Sequence, residues 1–142
     1  QVRQVSNSLV ELVSKSTSRQ SNFTNLGNSV INEQISVLKL LSNPGETKNQ
    51  EIIGIIHSEI NKNDSSLAAS PKYISTQKEK DIFEKLKTVS KEKEEKLTAF
   101  FQLFNQAKYD EADKNYEQSL LTIYSEFQLR NTSLVKTISN SD

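Results

Sequence analysis

The chain has 142 residues, with 18 basic and 18 acidic side chains, one histidine and no cysteine. That is enough for one domain with one core. The balanced charge, with no face or tail of one sign, argues against phosphate and nucleic-acid binding, and a disulfide is excluded. Three glycines, two prolines and 34 % apolar residues leave out the turn signal that a sandwich or barrel needs every eight to twelve residues or so. The chain therefore reads as all-α, each helix burying a single stripe.

Val2, Leu9, Ser16, Phe23, Val30 and Val37 stand seven apart, and Val5, Leu12, Arg19, Leu26, Glu33 and Leu40 follow three residues on. This heptad predicts one long helix from Val2 to Leu41. Ser42-Asn43-Pro44-Gly45 stops it, because Pro44 disfavours helical backbone at Asn43 and Gly45 permits a tight turn. Thr47, with Gln50 three residues on, predicts a capping box for a short second helix. Its stripe is Ile52, Ile53, Ile56 and Ile60; the polar run 61–66 ends it. Leu67 to Ser75, with Pro71 inside, reads as a non-helical connection lying against the bundle.

Ser75 or Thr76 caps the third helix, whose stripe is Ile82, Leu86, Val89, Leu97, Phe100, Phe101 and Phe104. The dense Lys and Glu of residues 78–96 read as its solvated face, with Asp81–Lys85 and Glu92–Lys96 at i, i+4. The pattern slips at Gln106-Ala107-Lys108-Tyr109, too short for a loop, so the third and fourth helices form an αα-hairpin. The fourth helix runs from about Tyr109 to Ser139 on Tyr109, Ala112, Tyr116, Leu120, Ile123, Phe127 and Leu134. Helices one, three and four are long and two is shorter. The expected architecture is an antiparallel up-down-up-down four-helix bundle whose first and last residues share one end.

Enzyme chemistry has no foothold in this pattern. His57 lacks a cysteine, a second histidine or Glu-x-x-His spacing, and there is no Gly-rich phosphate loop, so no metal and no cofactor is expected. Polar residues inside apolar seams are more informative: Arg19 in the heptad and Arg130 between Phe127 and Leu134. If residue i of helix one meets roughly residue 142 − i of helix four, Arg19 falls near Ile123 and Tyr124, and Phe23 and Leu26 near Leu120 and Tyr116. Arg19, Phe23, Tyr116, Tyr124 and Arg130 are the candidate ligand-binding set, since a guanidinium beside phenols suits a carboxylate. The same residues also fit a buried polar layer that fixes register, or an arginine snorkelling to solvent.

Val2, Val5, Leu9, Val10, Leu12 and Val13 make a wider apolar arc than one seam needs, and Leu129, Leu134, Val135 and Ile138 add to it. This excess predicts a homodimer through helices one and four, with a single bundle of wide base as the alternative. No methionine is present, and the chain opens on Gln1-Val2 and closes on Ser141-Asp142 in helical rhythm. The expectation is one domain, residues 1–142, cut from a longer protein. The longest apolar run, around Gly54, is far short of a membrane span of about twenty residues.

The connection NQAKYDEAD, leading into a long helix that ends LRNTSLVKTISNSD, resembles the four-helix-bundle ligand-binding domain of methyl-accepting chemotaxis proteins. The same module serves bacterial sensor histidine kinases, and the helical sensory module of hybrid kinases is similar to it. The resemblance implies an extracytoplasmic, periplasmic sensor attached to the membrane through helices flanking residues 1 and 142. It also implies a small-molecule ligand such as an amino acid or organic acid, and a signal carried by the last helix. Aspartate receptors of this kind place several arginines in the outer part of helix one, where this chain has Asn25, Asn28, Asn32 and Glu33. The alternative is a structural or adaptor bundle that binds protein through its Lys/Glu-rich third helix.

Overall fold

A computed structural model describes the backbone of residues 2–141 and, within that span, all side chains except those of residues 2–6, 12 and 16. Helix α1 spans Val2–Ser42, α2 Asn49–Ala69 and α3 Gln77–Asn105, with a 3-10 turn at Ser70–Tyr73 between α2 and α3. The fourth helix, α4, is continuous over 109–141 but built of three pieces: Tyr109–Asn115, a π-helical turn Tyr116–Leu120, and Leu121–Ser141. The described residues contain no strand. None of their helices is long and apolar enough to cross a membrane.

Local chemistry explains most of the boundaries. α1 stops before Pro44, and Gly45 takes φ +85 in the turn that follows. Thr76 caps α3, accepting from the Glu79 N–H at 3.2 Å. The hairpin between α3 and α4 closes on Ala107 at φ +58. Its flanking N–H groups donate back, Lys108 to the Leu103 carbonyl at 2.9 Å and Ala107 to that of Phe104 at 3.0 Å. This is a left-handed helix stop made without glycine, at a cost of about 1 kcal/mol.

The second helix departs from expectation. Residues 61–66 continue it rather than end it, because Asn63 and Leu67 both face inward and are buried. Thr47 caps nothing: Lys48 precedes the helix with no side-chain cap. Asn49 instead ties the start of α2 to the preceding turn by donating to the Asn43 carbonyl at 2.9 Å.

α1 packs against α2 and against α4, and α3 packs against α4. The seam that closes the ring, between α2 and α3, has the least close backbone approach of the four. The core is assembled from Phe23, Leu26 and Val30 on α1, Ile56 and Leu67 on α2, and Phe83, Leu86, Leu97 and Phe100 on α3. α4 adds Leu120, Ile123, Phe127, Leu134 and Ile138.

The register of α1 against α4 is not the one expected. Tyr124 meets Glu33, Gln128 meets Gly27 and Asn131 meets Phe23. Arg19 and Ser141 both end on Glu79. The placement of Arg19 beside Ile123 and Tyr124, and of Phe23 and Leu26 beside Leu120 and Tyr116, is thus displaced by roughly 20 Å along the bundle. α1 enters at the pole where α4 ends, and its residues 7–11 and 13–15 are exposed. Leu9, Val10 and Val13 are 62 %, 65 % and 61 % exposed, whereas the heptad positions Phe23, Leu26, Val30 and Glu33 are buried. The side chains of Val2, Val5, Leu12 and Ser16, and residues 1 and 142, lie outside what is described. Of the α4 residues assigned to the apolar excess, Leu134 and Ile138 are core, Val135 packs against it, and Leu129 is exposed.

Candidate functional site

Two buried polar layers tie the helices together. At the pole where α4 ends, the Arg19 guanidinium pairs with the Glu79 carboxylate and its Nε donates to the Tyr73 carbonyl at 2.9 Å. Glu79 also accepts from the Ser75 N–H at 2.9 Å and the Ser141 hydroxyl at 2.7 Å. Burial alone would raise this carboxyl. The donors from Ser141, Ser75 and Arg19 outweigh it and hold Glu79 below its ordinary range. The stability it contributes is therefore present above the ordinary carboxyl range and is lost as pH falls through the lowered value.

Nearer the middle, Glu33 on α1 accepts from all three other helices. Lys93 on α3 reaches its two oxygens at 2.9 and 3.1 Å, and Tyr124 on α4 donates at 2.6 Å. Asn63 on α2 donates at 3.4 Å. All four side chains are buried. The Lys93 ammonium also lies over the rings of Tyr124 and Phe127, at 5.9 and 5.7 Å. Burial, then the charge and hydrogen bond of Glu33, raise the Tyr124 phenol well above its usual range, so it remains a donor. With every ionisable group engaged by another, this layer locks helix order and register.

Along the α1–α4 seam, the side chains of one helix grip the backbone of the other. Gln128 Nε2 donates to the Gly27 carbonyl at 3.1 Å, and Asn131 Nδ2 to that of Phe23 at 2.8 Å. Gly27 makes this possible, since a Cβ there would lie 2.8 Å from Asn131 Nδ2.

Two open grooves lie on the α3–α4 side. One, of about 290 Å³, is lined by Lys85, Val89, Glu92, Glu126 and Arg130 among others. Arg130 makes a long contact of 3.5 Å with Glu126, while its buried Nε has no partner. The other, of about 390 Å³, lies beside the π turn between Lys96, Ala99, Asn115 and Ser119. There Lys96 donates to the Ser119 hydroxyl at 3.0 Å.

The five residues expected to bind a ligand are thus spread over the bundle. Arg19 belongs to the polar pole, Phe23 to the core against Phe83, and Tyr124 to the Glu33 layer. Tyr116 accepts from Gln34 at 3.0 Å. Arg130 alone lines an open groove. Sequence reading missed Lys93 and Glu79 as partners because both sit in the run taken as a solvated face. The signal was present: Lys93 falls four residues after Val89 and four before Leu97, on the apolar stripe itself.

Buried ionisable groups binding helix to helix, and a few side-chain grips on backbone, define an all-α four-helix bundle. The chain is a member of the family described as four helix bundle sensory module for signal transduction, whose model matches residues 1–139. That family is a signalling module rather than a known enzyme family, and it bears out the resemblance drawn from the sequence. No curated protein and no solved structure matches the chain.

Proposed function

We propose that this chain is the extracytoplasmic input domain of a bacterial chemoreceptor or sensor kinase, in which a small ligand or a partner shifts α4 against α1. Family membership supports the sensory role. The grip of Gln128 and Asn131 on α1 carbonyls supports the seam that moves, because such bonds can be exchanged for others without opening the core. A ligand does this only by binding one packing better than the other.

The ligand contact in this reading is Arg130, on the moving helix, which lines the open groove with only a long contact to Glu126 and whose guanidinium suits the carboxylate of an amino acid or organic acid. Arg19, Phe23, Tyr116 and Tyr124 supply the layers that the shift must disturb. The exposed face of Leu9, Val10 and Val13 supports a second copy packed along α1 as a homodimer.

Thermal-shift screening against amino acids and small carboxylates tests the proposal, since a ligand at a hundred times its Kd adds about 2.7 kcal/mol of stability. We expect at least one stabiliser whose effect disappears in Arg130→Ala. A broad library without a stabiliser, or one indifferent to Arg130, sinks the ligand reading.

A further inference from the structure

α4 widens into a π turn at Tyr116–Leu120 with nothing in its local sequence to make it do so. The five residues are Tyr-Glu-Gln-Ser-Leu, without the proline or glycine that usually distorts a helix. The Leu121 N–H donates to the Tyr116 carbonyl, five residues back instead of four, so this turn holds one residue more than an α-helical turn. The cause therefore lies in what holds α4 on either side. Before the turn, the hairpin at Ala107 and Lys108 fixes where α4 begins, Ala112 is buried, and the Tyr109 ring packs on Phe104 at 5.1 Å. After it, Tyr124 holds Glu33 at 2.6 Å, Asn131 holds the Phe23 carbonyl at 2.8 Å, and Ser141 holds Glu79 at 2.7 Å. Two tyrosine hydroxyls, one opening the turn and one beyond it, meet neighbouring residues of α1. Tyr116 accepts from Gln34 at 3.0 Å, and Tyr124 donates to Glu33. One residue too many between two fixed flanks has to be stored, and the π turn is where α4 stores it.

We propose that this turn is a register hinge, which takes up movement of residues 121–141 along α1 so that the hairpin end of α4 stays in place. Each residue of an α-helix advances about 1.5 Å and turns about 100°, so without such a store any slide would have to pull the hairpin with it. The surroundings leave the turn room to change. A groove of about 390 Å³ opens beside it between α3 and α4. Lys96 reaches across to the Ser119 hydroxyl at 3.0 Å, a neutral partner. The buried carbonyl oxygen of Asn115, one residue before the turn, has no partner, a cost that a different turn geometry can relieve. The inference deepens the reading of α4 as the moving helix and rests on it for its purpose. Its test needs no ligand, so a failed ligand screen leaves the hinge standing, and a failed hinge leaves the Arg130 groove standing.

Single-residue deletions in the free chain provide the test. Removing Gln118, exposed within the turn, should let α4 close as a continuous α-helix with both flanks still in place. Removing Ser133, exposed but beyond the turn, instead rotates either Phe127 and Asn131 or Leu134 and Ile138 out of register. We expect the protein lacking Gln118 to unfold at or above the Tm of the unmodified chain, and the protein lacking Ser133 roughly 10 °C below it. Equal losses from the two deletions overturn the proposal. Amide hydrogen exchange read by NMR separates a hinge from a rigid widening. In the unmodified chain the Leu121 amide should exchange about tenfold faster than those of Phe127 and Asn131. It should exchange faster again in Gln34→Ala, which frees Tyr116, and slow to their level once Gln118 is removed. A Leu121 amide as protected as that of Phe127, or indifferent to Gln34→Ala, also overturns it.

Discussion

The α1–α4 seam and the α2–α3 seam complete the same ring of helices by opposite means. The first is close: Gly27 removes a side chain, and Gln128 and Asn131 reach the α1 backbone directly. The second is wide, and side chains span it: Asn63 and Lys93 meet on Glu33, and His57 lies against the Phe101 ring at 5.3 Å. The close seam leans on shape and on neutral bonds to the Gly27 and Phe23 carbonyls, beside the charged bond of Tyr124 to Glu33. A wide seam bridged by ionisable groups takes its strength from their charge. The teaching is that one bundle can hold a mechanical joint and a chemical one, separated by the diameter of a helix.

The comparison breaks most sharply at the residue the two joints share. Lys93→Met leaves the buried Glu33 without its counter-charge and should cost about 3–5 kcal/mol in urea unfolding. Adding Glu33→Gln removes the stranded charge and should recover part of that loss. Equal losses in the single and double variants would mean that the layer is held by packing rather than charge. Next in size, Gly27→Val forces the α1–α4 seam apart and should cost roughly 2 kcal/mol through overpacking. The smallest effect has the opposite sign. A Cβ at Gly54 on α2 would meet nothing within 4 Å, so Gly54→Ala should stabilise by about 1 kcal/mol through helix propensity alone. A loss there would show that α2 packs more tightly than its open seam implies.

Much of this was legible in the residues. Period and breakers placed α1, α3 and α4, and the slip at Gln106–Tyr109 correctly joined α3 to α4 as a hairpin. The polar run in α2 misled because helix-competing side chains are judged by solvent, whereas Asn63 points at Glu33. The candidate site was less legible. Arg19 was rightly singled out as a polar residue within a seam, but its partner Glu79 and the counterpart Lys93 of Glu33 were hidden in a charged run.

Taken by itself, the order of residues determined an all-α chain of four stripes, their sequence along the chain and their antiparallel course, because periodicity and turn chemistry are local. Only the tertiary structure decided how far α1 slides along α4, which charges are buried and which seam stays wide. Apolar stripes are nearly periodic and allow several registers one turn apart. The register is selected by a few buried charges and one glycine, whose partners lie 30 to 108 residues away along the chain.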